Sequence, residues 1–212
     1  MGKAEENKLR KRNSLLAQAY ELFVNKGIHA TTIAEIAGQA GVAKGTFYFY
    51  FRDKQDLIDH IIARKSEGIL LHALEALREK ETRPAHPGDA ASAPLPVEEK
   101  LIILVDDIIG RLEKDPKLVR FLDRNLDSAF IIRLMHHGSL MTSIDLVEEY
   151  KNILRTGTDR WKDEWLMLYT VIELVSGSIH PIIVSGQPCS LETYLPYLHD
   201  CIRAIVDCFR VK

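Results

Sequence analysis

Apolar residues in this chain recur at steps of three and four, and no stretch sustains the every-other-residue alternation of a half-buried strand. A period near 3.6 gathers side chains on one side of a helix, whereas a period of two gathers them on one face of a sheet. The fold class that follows is all-α, with about nine helices. Eight prolines and twelve glycines among 212 residues leave room for long uninterrupted helices. A chain of this length buries enough apolar surface to fold without disulfides or metals.

The expected elements follow from caps and breaks. Leu15, Leu16, Ala19, Leu22 and Phe23 line a helix from Lys8 to Lys26, which Gly27 stops. Thr32 with Glu35 forms a capping-box pattern that opens a short helix to Gln39. Gly41 interrupts, and a second short helix runs from Ala43 to Tyr50. Asp53 can cap a helix to Lys80, with Leu57, Ile58, Ile61 and Ile62 on its apolar face. Residues 82–96, rich in Pro, Ala and Ser, read as a mobile loop. Helices are expected again over Val97–Lys114, closed by Asp115-Pro116, over Lys117–Leu126, and over Ile131–Arg155 with a weak point at Gly138. Asp159 is a cap candidate for Arg160–Ser185, which Pro181 should kink or end. Ser190 can cap a last helix to Arg210. These elements divide into a small domain, residues 1–52, and a larger one, residues 53–212.

Charge is distributed unevenly. Residues 1–65 carry 11 Lys and Arg against 7 Asp and Glu, and residues 66–212 carry 17 against 23. A basic first segment on an acidic body suits a polyanionic partner for that segment alone. Cys189, Cys201 and Cys208 are odd in number and form no C-x-x-C pair, so reduced, buried thiols are expected. Cys201 and Cys208 share a helix face but stand ~10 Å apart along an ideal helix, beyond disulfide reach. The charged N-terminus lacks a signal-peptide pattern and no apolar run of membrane-span length stands out, so the expectation is a cytoplasmic protein with no membrane partner.

The segment Thr32 to Leu57 carries the most information. Ile33, Ile36, Ala37 and Ala40 line one face of the first short helix, and Gly41 sits where a tight reversal needs a positive φ. Phe47 and Phe51 are core candidates, and Val42 can fill the angle between the two helices. That leaves Lys44, Gly45, Thr46, Tyr48, Phe49 and Tyr50 facing outward. The layout suits a helix-turn-helix whose second helix enters the major groove. Gly45 allows close backbone approach, Lys44 can pair with phosphate or guanine, and Thr46 can meet a base edge. The Tyr48 hydroxyl can hold phosphate and fix register. Thr32 and Lys54 lie at helix starts, where amide donors favour a phosphate. Glycine-broken helix pairs also occur in helical proteins that bind no nucleic acid, and spacing alone leaves both readings open.

The stretch from Thr31 to Leu57 resembles the signature of the TetR family of regulators. The match rests on Thr31, Thr32, Ile36, Ala37, Ala40, Gly41, Val42, Gly45, Tyr48, Tyr50, Phe51, Lys54 and Leu57 at the family's spacing. Residues 8–65 are covered, and the rest resembles the family in length, helix content and acidity only. Ala43 stands where the family often has Ser or Thr, which removes a helix cap. Phe49 stands where a polar residue is frequent, which puts base preference there in doubt. The resemblance implies that Thr32, Tyr48 and Lys54 hold phosphates. It implies that Lys44, Gly45, Thr46 and Phe49 face bases or their surroundings, and that Lys8, Arg10, Lys11 and Arg12 form a basic arm. An idle, solvated helix end is the other reading of that arm.

One reading head covers few base pairs, so specificity on a palindromic operator in double-stranded DNA calls for a homodimer. Ile172, Ser176 and Gly177 in the 160–185 helix, and Leu195, Leu198, Ile202, Ile205 and Phe209 in the last, are the interface candidates. The other reading is that both stripes bury within one subunit. The family resemblance further implies a small-molecule inducer cavity, for which Phe121, Phe130, Leu134, His137, Met141, Trp165 and Tyr169 are the candidate walls. Apolar walls suit a hydrophobic or aromatic inducer. His136-His137 lacks carboxylate or thiol companions at ligand spacing, so no metal and no cofactor is expected. Nucleophile-elbow, P-loop, zincin and dinucleotide signatures are missing, which speaks against an enzyme. The overall expectation is a DNA-binding repressor released by its inducer. The rival readings are a regulator or activator controlled by a protein partner, and a helical enzyme without a DNA role.

Overall fold

The computed structural model describes residues 2–82, 94–125, 145–155 and 159–211. Among the described residues there are nine helices and no strand. They are α1 (Lys3–Lys26), α2 (Ile33–Gln39), α3 (Lys44–Tyr50), α4 (Lys54–Thr82), α5 (Val97–Glu113), α6 (Pro116–Asn125), α7 (Leu146–Leu154), α8 (Glu164–Ser185) and α9 (Leu191–Phe209). The chain forms two compact units, Met1–Lys65 and Ser66–Lys212. The first continues past the 52/53 division expected from the sequence, because Leu57, Ile58, Ile61 and Ile62 of α4 are buried.

In the first unit α2 packs on both α1 and α3. Leu15, Leu16, Ala19, Phe23, Ile36, Ala37, Phe47 and Phe51 are buried. The capping box at α2 is complete: the Thr32 hydroxyl accepts from the Glu35 N–H, and the Glu35 carboxylate accepts from the Thr32 N–H. At the other end Gly41 takes φ +69°. Its N–H donates to Gly38 O (3.1 Å), and the Val42 N–H donates to Ala37 O (2.9 Å). These two bonds satisfy the carbonyls a helix end leaves open, and the left-handed residue between them explains why glycine stands there.

The second unit is built around Ala73, Leu74 and Leu77 of α4, Leu101, Val105 and Ile109 of α5, Tyr150 and Ile153 of α7, Met167 and Val171 of α8, and Leu198, Ile202 and Val206 of α9. Lys100 is buried in this core and is neutralised by an ion pair with Glu81 near the end of α4. Tyr150 donates to the Glu164 carbonyl (2.7 Å). Burial, reinforced by the charges of Glu164 and Asp163, pushes its hydroxyl well above the usual tyrosine range.

Several elements differ from the sequence expectation. α1 begins five residues before the expected Lys8 start, with Glu5 and Glu6 in its first turn, where the helix dipole favours acids. α5 ends at Glu113, beside the expected break at Asp115-Pro116, and the same two residues also open α6, with Asp115 accepting from the Leu118 N–H (3.0 Å) and proline at the first position, where no donor is lost. The expected Ile131–Arg155 helix is broken at Asp145, whose side chain accepts from the Glu148 N–H (3.1 Å) and starts α7. Gly138 lies outside the described residues. α8 starts at Glu164 with Asp163 as its cap, four residues after the expected Arg160. Residues 160–162 instead run beside 209–211: the Lys162 N–H donates to Phe209 O and the Val211 N–H to Arg160 O, both at 2.8 Å. Asp159, the expected cap, is occupied by Arg210 (3.2 Å). Pro181 does not end α8, which continues to Ser185 and stops at Gly186, φ +65°.

α8 is long and apolar enough to cross a membrane by length and composition, contrary to the expectation that no apolar run of that length stands out. Its Met167, Val171, Ile179 and Ile182 are buried in this unit. Leu198 and Ile202, offered as interface residues, have 0% of their surface exposed within a single chain. They face the core of their own unit and present nothing to a second copy. Cys201 and Cys208 correct the expectation of buried thiols: both are exposed, and Cys189 is half-buried. Among the suggested cavity walls, Phe121 is buried and Trp165 and Tyr169 are half-buried, with the Trp165 ring 5.6 Å from Tyr150. Phe130, Leu134, His137 and Met141 lie outside the described residues.

Candidate nucleic-acid interface

α3 is seven residues long, too short to persist without packing. Two phenylalanines hold it. Phe47 is 0% exposed and Phe51 1%, with ring centroids 5.6 Å apart. Phe51 adopts extended backbone and ends the helix, its N–H donating to Phe47 O. At the start, Ala43 makes no side-chain cap, so the departure from Ser or Thr noted in the sequence removes that bond. The Thr46 N–H donates to Ala43 O instead (2.8 Å).

With Phe47 and Phe51 inside, the opposite face of α3 is open. Lys44 and Gly45 are exposed, Tyr48 is 51% exposed and Phe49 66%. Thr46 and Tyr50 are half-buried flanks of that face. A Cβ on Gly45 would meet nothing within 4 Å, so the protein's own packing does not require glycine there. The bare backbone is available to a partner.

α1 brings cations to the same helix. The Lys8 ammonium lies 4.9 Å from the centre of the Phe49 ring, and the Arg12 guanidinium 5.7 Å from that of Phe51. Arg10 is tied to Asn7 (2.8 Å), and Lys11 is exposed. Arg52, absent from the sequence candidates, is exposed immediately beyond α3 while its Nη2 reaches Asp56 (3.3 Å). Its signal was its position two residues after the last outward tyrosine, within a basic segment. The Lys8–Phe49 pairing had no sequence signal, since it joins residues from different helices.

Thr32 and Lys54, assigned to phosphates by resemblance, already have partners. The Thr32 hydroxyl donates to Glu35 (2.9 Å), which also pairs with Lys26. Lys26 above all, then the Thr32 backbone and hydroxyl, hold the Glu35 carboxyl down to about 2. Lys54 donates to Ile28 O (2.8 Å) and Thr31 O (3.1 Å), fastening the link between α1 and α2 and leaving one of its three N–H groups. At the α3–α4 junction Asp56 is buried and accepts from the Arg52 N–H (2.8 Å). Burial raises its pKa, but the Arg52 bonds and the His60 charge outweigh that, and the net shift is downward. His60 donates to Asp56 O (2.8 Å) and sets its ring edge-on to Phe51, 5.2 Å away.

In the second unit, Ser176 and Gly177 are exposed, and Ile172, Leu195, Ile205 and Phe209 are half-buried. The open line of α9 is Tyr197 (67% exposed), Cys201, Ala204 and Cys208. Its four, three, four spacing is helical and legible in the sequence, although the candidates were taken from the neighbouring stripe.

Parts of this chain are similar to known proteins. Residues 15–61 match the family described as bacterial regulatory proteins, tetR family. The chain is 40% identical over 65 residues to the HTH-type transcriptional repressor BepR of Brucella suis biovar 1 (strain 1330), covering 29% of this chain and 31% of that one. It is 34% identical over 68 residues to the fatty acid metabolism regulator protein of Bacillus subtilis (strain 168), covering 32% and 35% respectively. These matches span about a third of the length of each relative. Over nearly the whole chain the likeness is of fold. A TetR-family regulator from Streptomyces coelicolor A3 superposes with a TM-score of 0.57 at 16% identity, covering 94% of this chain and 96% of that one. The Bacillus subtilis regulator FadR, solved with stearoyl-CoA, gives 0.52 at 16%, covering 89% and 96%.

Proposed function

We propose, from the premise that residues 15–61 are a tetR-family segment within a chain of TetR-like fold, that this protein represses transcription as a homodimer on a palindromic DNA operator. The observation that carries the reading is the outward face of α3, with exposed Lys44, Gly45, Tyr48 and Phe49 held in place by buried Phe47 and Phe51. A short helix fixed at its back and bare at its front suits the major groove. Lys44, Thr46, Phe49 and Tyr50 take the base-proximal positions, Tyr48 a phosphate, and Gly45 the point of closest backbone approach. Lys54 contributes a helix-start contact through its remaining N–H, and Thr32 does so once its hydroxyl turns from Glu35 to the phosphate. Regulation, rather than catalysis, is the role assigned, in the cytoplasm where the operator lies.

Two copies associate through the exposed parts of α8 and α9, and this spaces the heads. The α3 helices meet successive major grooves when they stand ~34–36 Å apart. A hydrophobic or aromatic inducer binds the second unit, and α4 carries the response because its residues belong to both units. The stearoyl-CoA held by a neighbour of the same fold supports an apolar inducer. The inducer weakens operator binding only by its preference for one position of α4 over another.

Titration of variants against a set of duplexes tests the role of α3. Tyr48→Phe weakens all duplexes alike, whereas Thr46→Ala changes the ranking among them. Identical profiles for the two variants contradict the assignment of α3.

A further inference from the structure

Phe49 is the most exposed phenylalanine among the described residues, 66% open, whereas Phe47 on the same helix and Phe51 just beyond its end are nearly fully buried. Leaving most of an aromatic ring in water forgoes much of its burial, so the ring stabilises its own unit far less than Phe47 or Phe51 does. Its orientation is nevertheless fixed. Tyr50 meets it edge-on, 5.0 Å between centroids at 89°, and the Lys8 ammonium stands 4.9 Å from its centre. One turn earlier on the same face is Gly45, where a Cβ would meet nothing within 4 Å. The surface thus has a bare backbone patch beside a fixed apolar ring, with a cation at the ring and exposed Lys44 nearby.

We infer that Gly45 and Phe49 form an apolar notch that takes the 5-methyl group of a thymine, and that this contact sets sequence preference at one position of each half-site. The inference rests on the groove-reading role of α3 proposed above. Among the groups on the floor of the major groove, the thymine methyl is the apolar one, and a phenylalanine has no donor or acceptor with which to read the others. The bare Gly45 backbone lets the base edge come close, and Phe49 supplies the wall. Lys8 completes the contact from α1: its ammonium, held over the ring, faces the phosphates that flank a base seated there. Lys8 is thereby a positioning cation with no sequence preference of its own.

The test uses the full-length protein and a duplex selected from a random pool, with each thymine replaced in turn by deoxyuridine, which removes the methyl and nothing else. For the wild type, one symmetry-related thymine pair loses about fourfold in affinity per half-site on replacement, the magnitude of one methyl group returned to water. Phe49→Ala binds the thymine and deoxyuridine duplexes equally at that position. Lys8→Ala weakens both duplexes alike and keeps their ratio. Thermal melts of both variants matching the wild type show that these losses are local. A selected palindrome whose thymines can all be replaced without loss overturns the notch while leaving DNA binding intact, as does a Phe49→Ala variant with the wild-type ratio. A pool that yields no preferred duplex overturns the groove-reading role and the notch together.

Discussion

The two units use their aromatic and apolar residues in opposite ways. In the first, two of three phenylalanines on and beside α3 are buried and the third is turned to solvent with two tyrosines near it. In the second, Leu198, Ile202 and Val206 of α9 are completely covered, and the apolar residues left open, such as Leu166 and Tyr197, lie on different helices rather than on one short pinned element. An outward aromatic on a short, pinned helix signals a partner. An inward stripe signals only a core. The first unit therefore displays its role on its surface, and the second displays mainly how it folds.

The largest effects expected come from removing what pins each unit. Phe47→Ala, which empties the space behind α3, should cost the first unit about 3–5 kcal/mol and abolish specific DNA binding. Denaturant melts and duplex titration read both, and retained binding would break the distinction between pinned back and reading front. Ile202→Ala should cost about 2–5 kcal/mol in the melt of the second unit. Its dimerisation should otherwise be that of the wild type at temperatures where it is folded. By contrast Tyr197→Glu, on the open line of α9, should leave the melt of each subunit almost unchanged and shift the protein toward monomer in sedimentation. The reverse pattern would reinstate Leu198 and Ile202 as the interface stripe.

These contrasts also explain what the sequence could reveal. Helix positions followed from caps such as Thr32 and Ser190 and from Gly41, because those devices act within a few residues. The same locality misleads at Asp159, which suits a helix cap by its neighbours but is taken up by distant Arg210. The outward face of α3 was legible because the burial of Phe47 and Phe51 follows from helical spacing. Lys54 as a clasp on Ile28 and Thr31, and Lys8 over Phe49, were not, since both depend on tertiary approach across more than twenty residues. On α9 the helical period is legible, but Leu198 and Ile202, expected to face a partner, are covered by the chain's own core. A helix apolar on two sides does not say which side its own core takes.

Smaller effects sharpen the picture of the first unit. Gly41→Ala forces a side chain into the left-handed region, at about 1–2 kcal/mol, and should lower the melting temperature without changing base preference. Glu35 has a folded pKa of about 2 against an ordinary 4.5, so its contribution to stability is complete above 4.5 and disappears as pH falls through 2. Melts of wild type and Glu35→Ala should differ at neutral pH and converge between those values. A gap that persists below pH 2 would mean that Glu35 acts by packing rather than charge.

The direct test of the central claim is selection of duplexes from a random pool by the full-length protein, alongside Lys44→Glu. The wild type is expected to enrich a palindrome whose half-site centres lie one helical turn, or a multiple of it, apart, and the variant to enrich nothing. Enrichment of the same palindrome by Lys44→Glu, or of no duplex by the wild type, would contradict the claim.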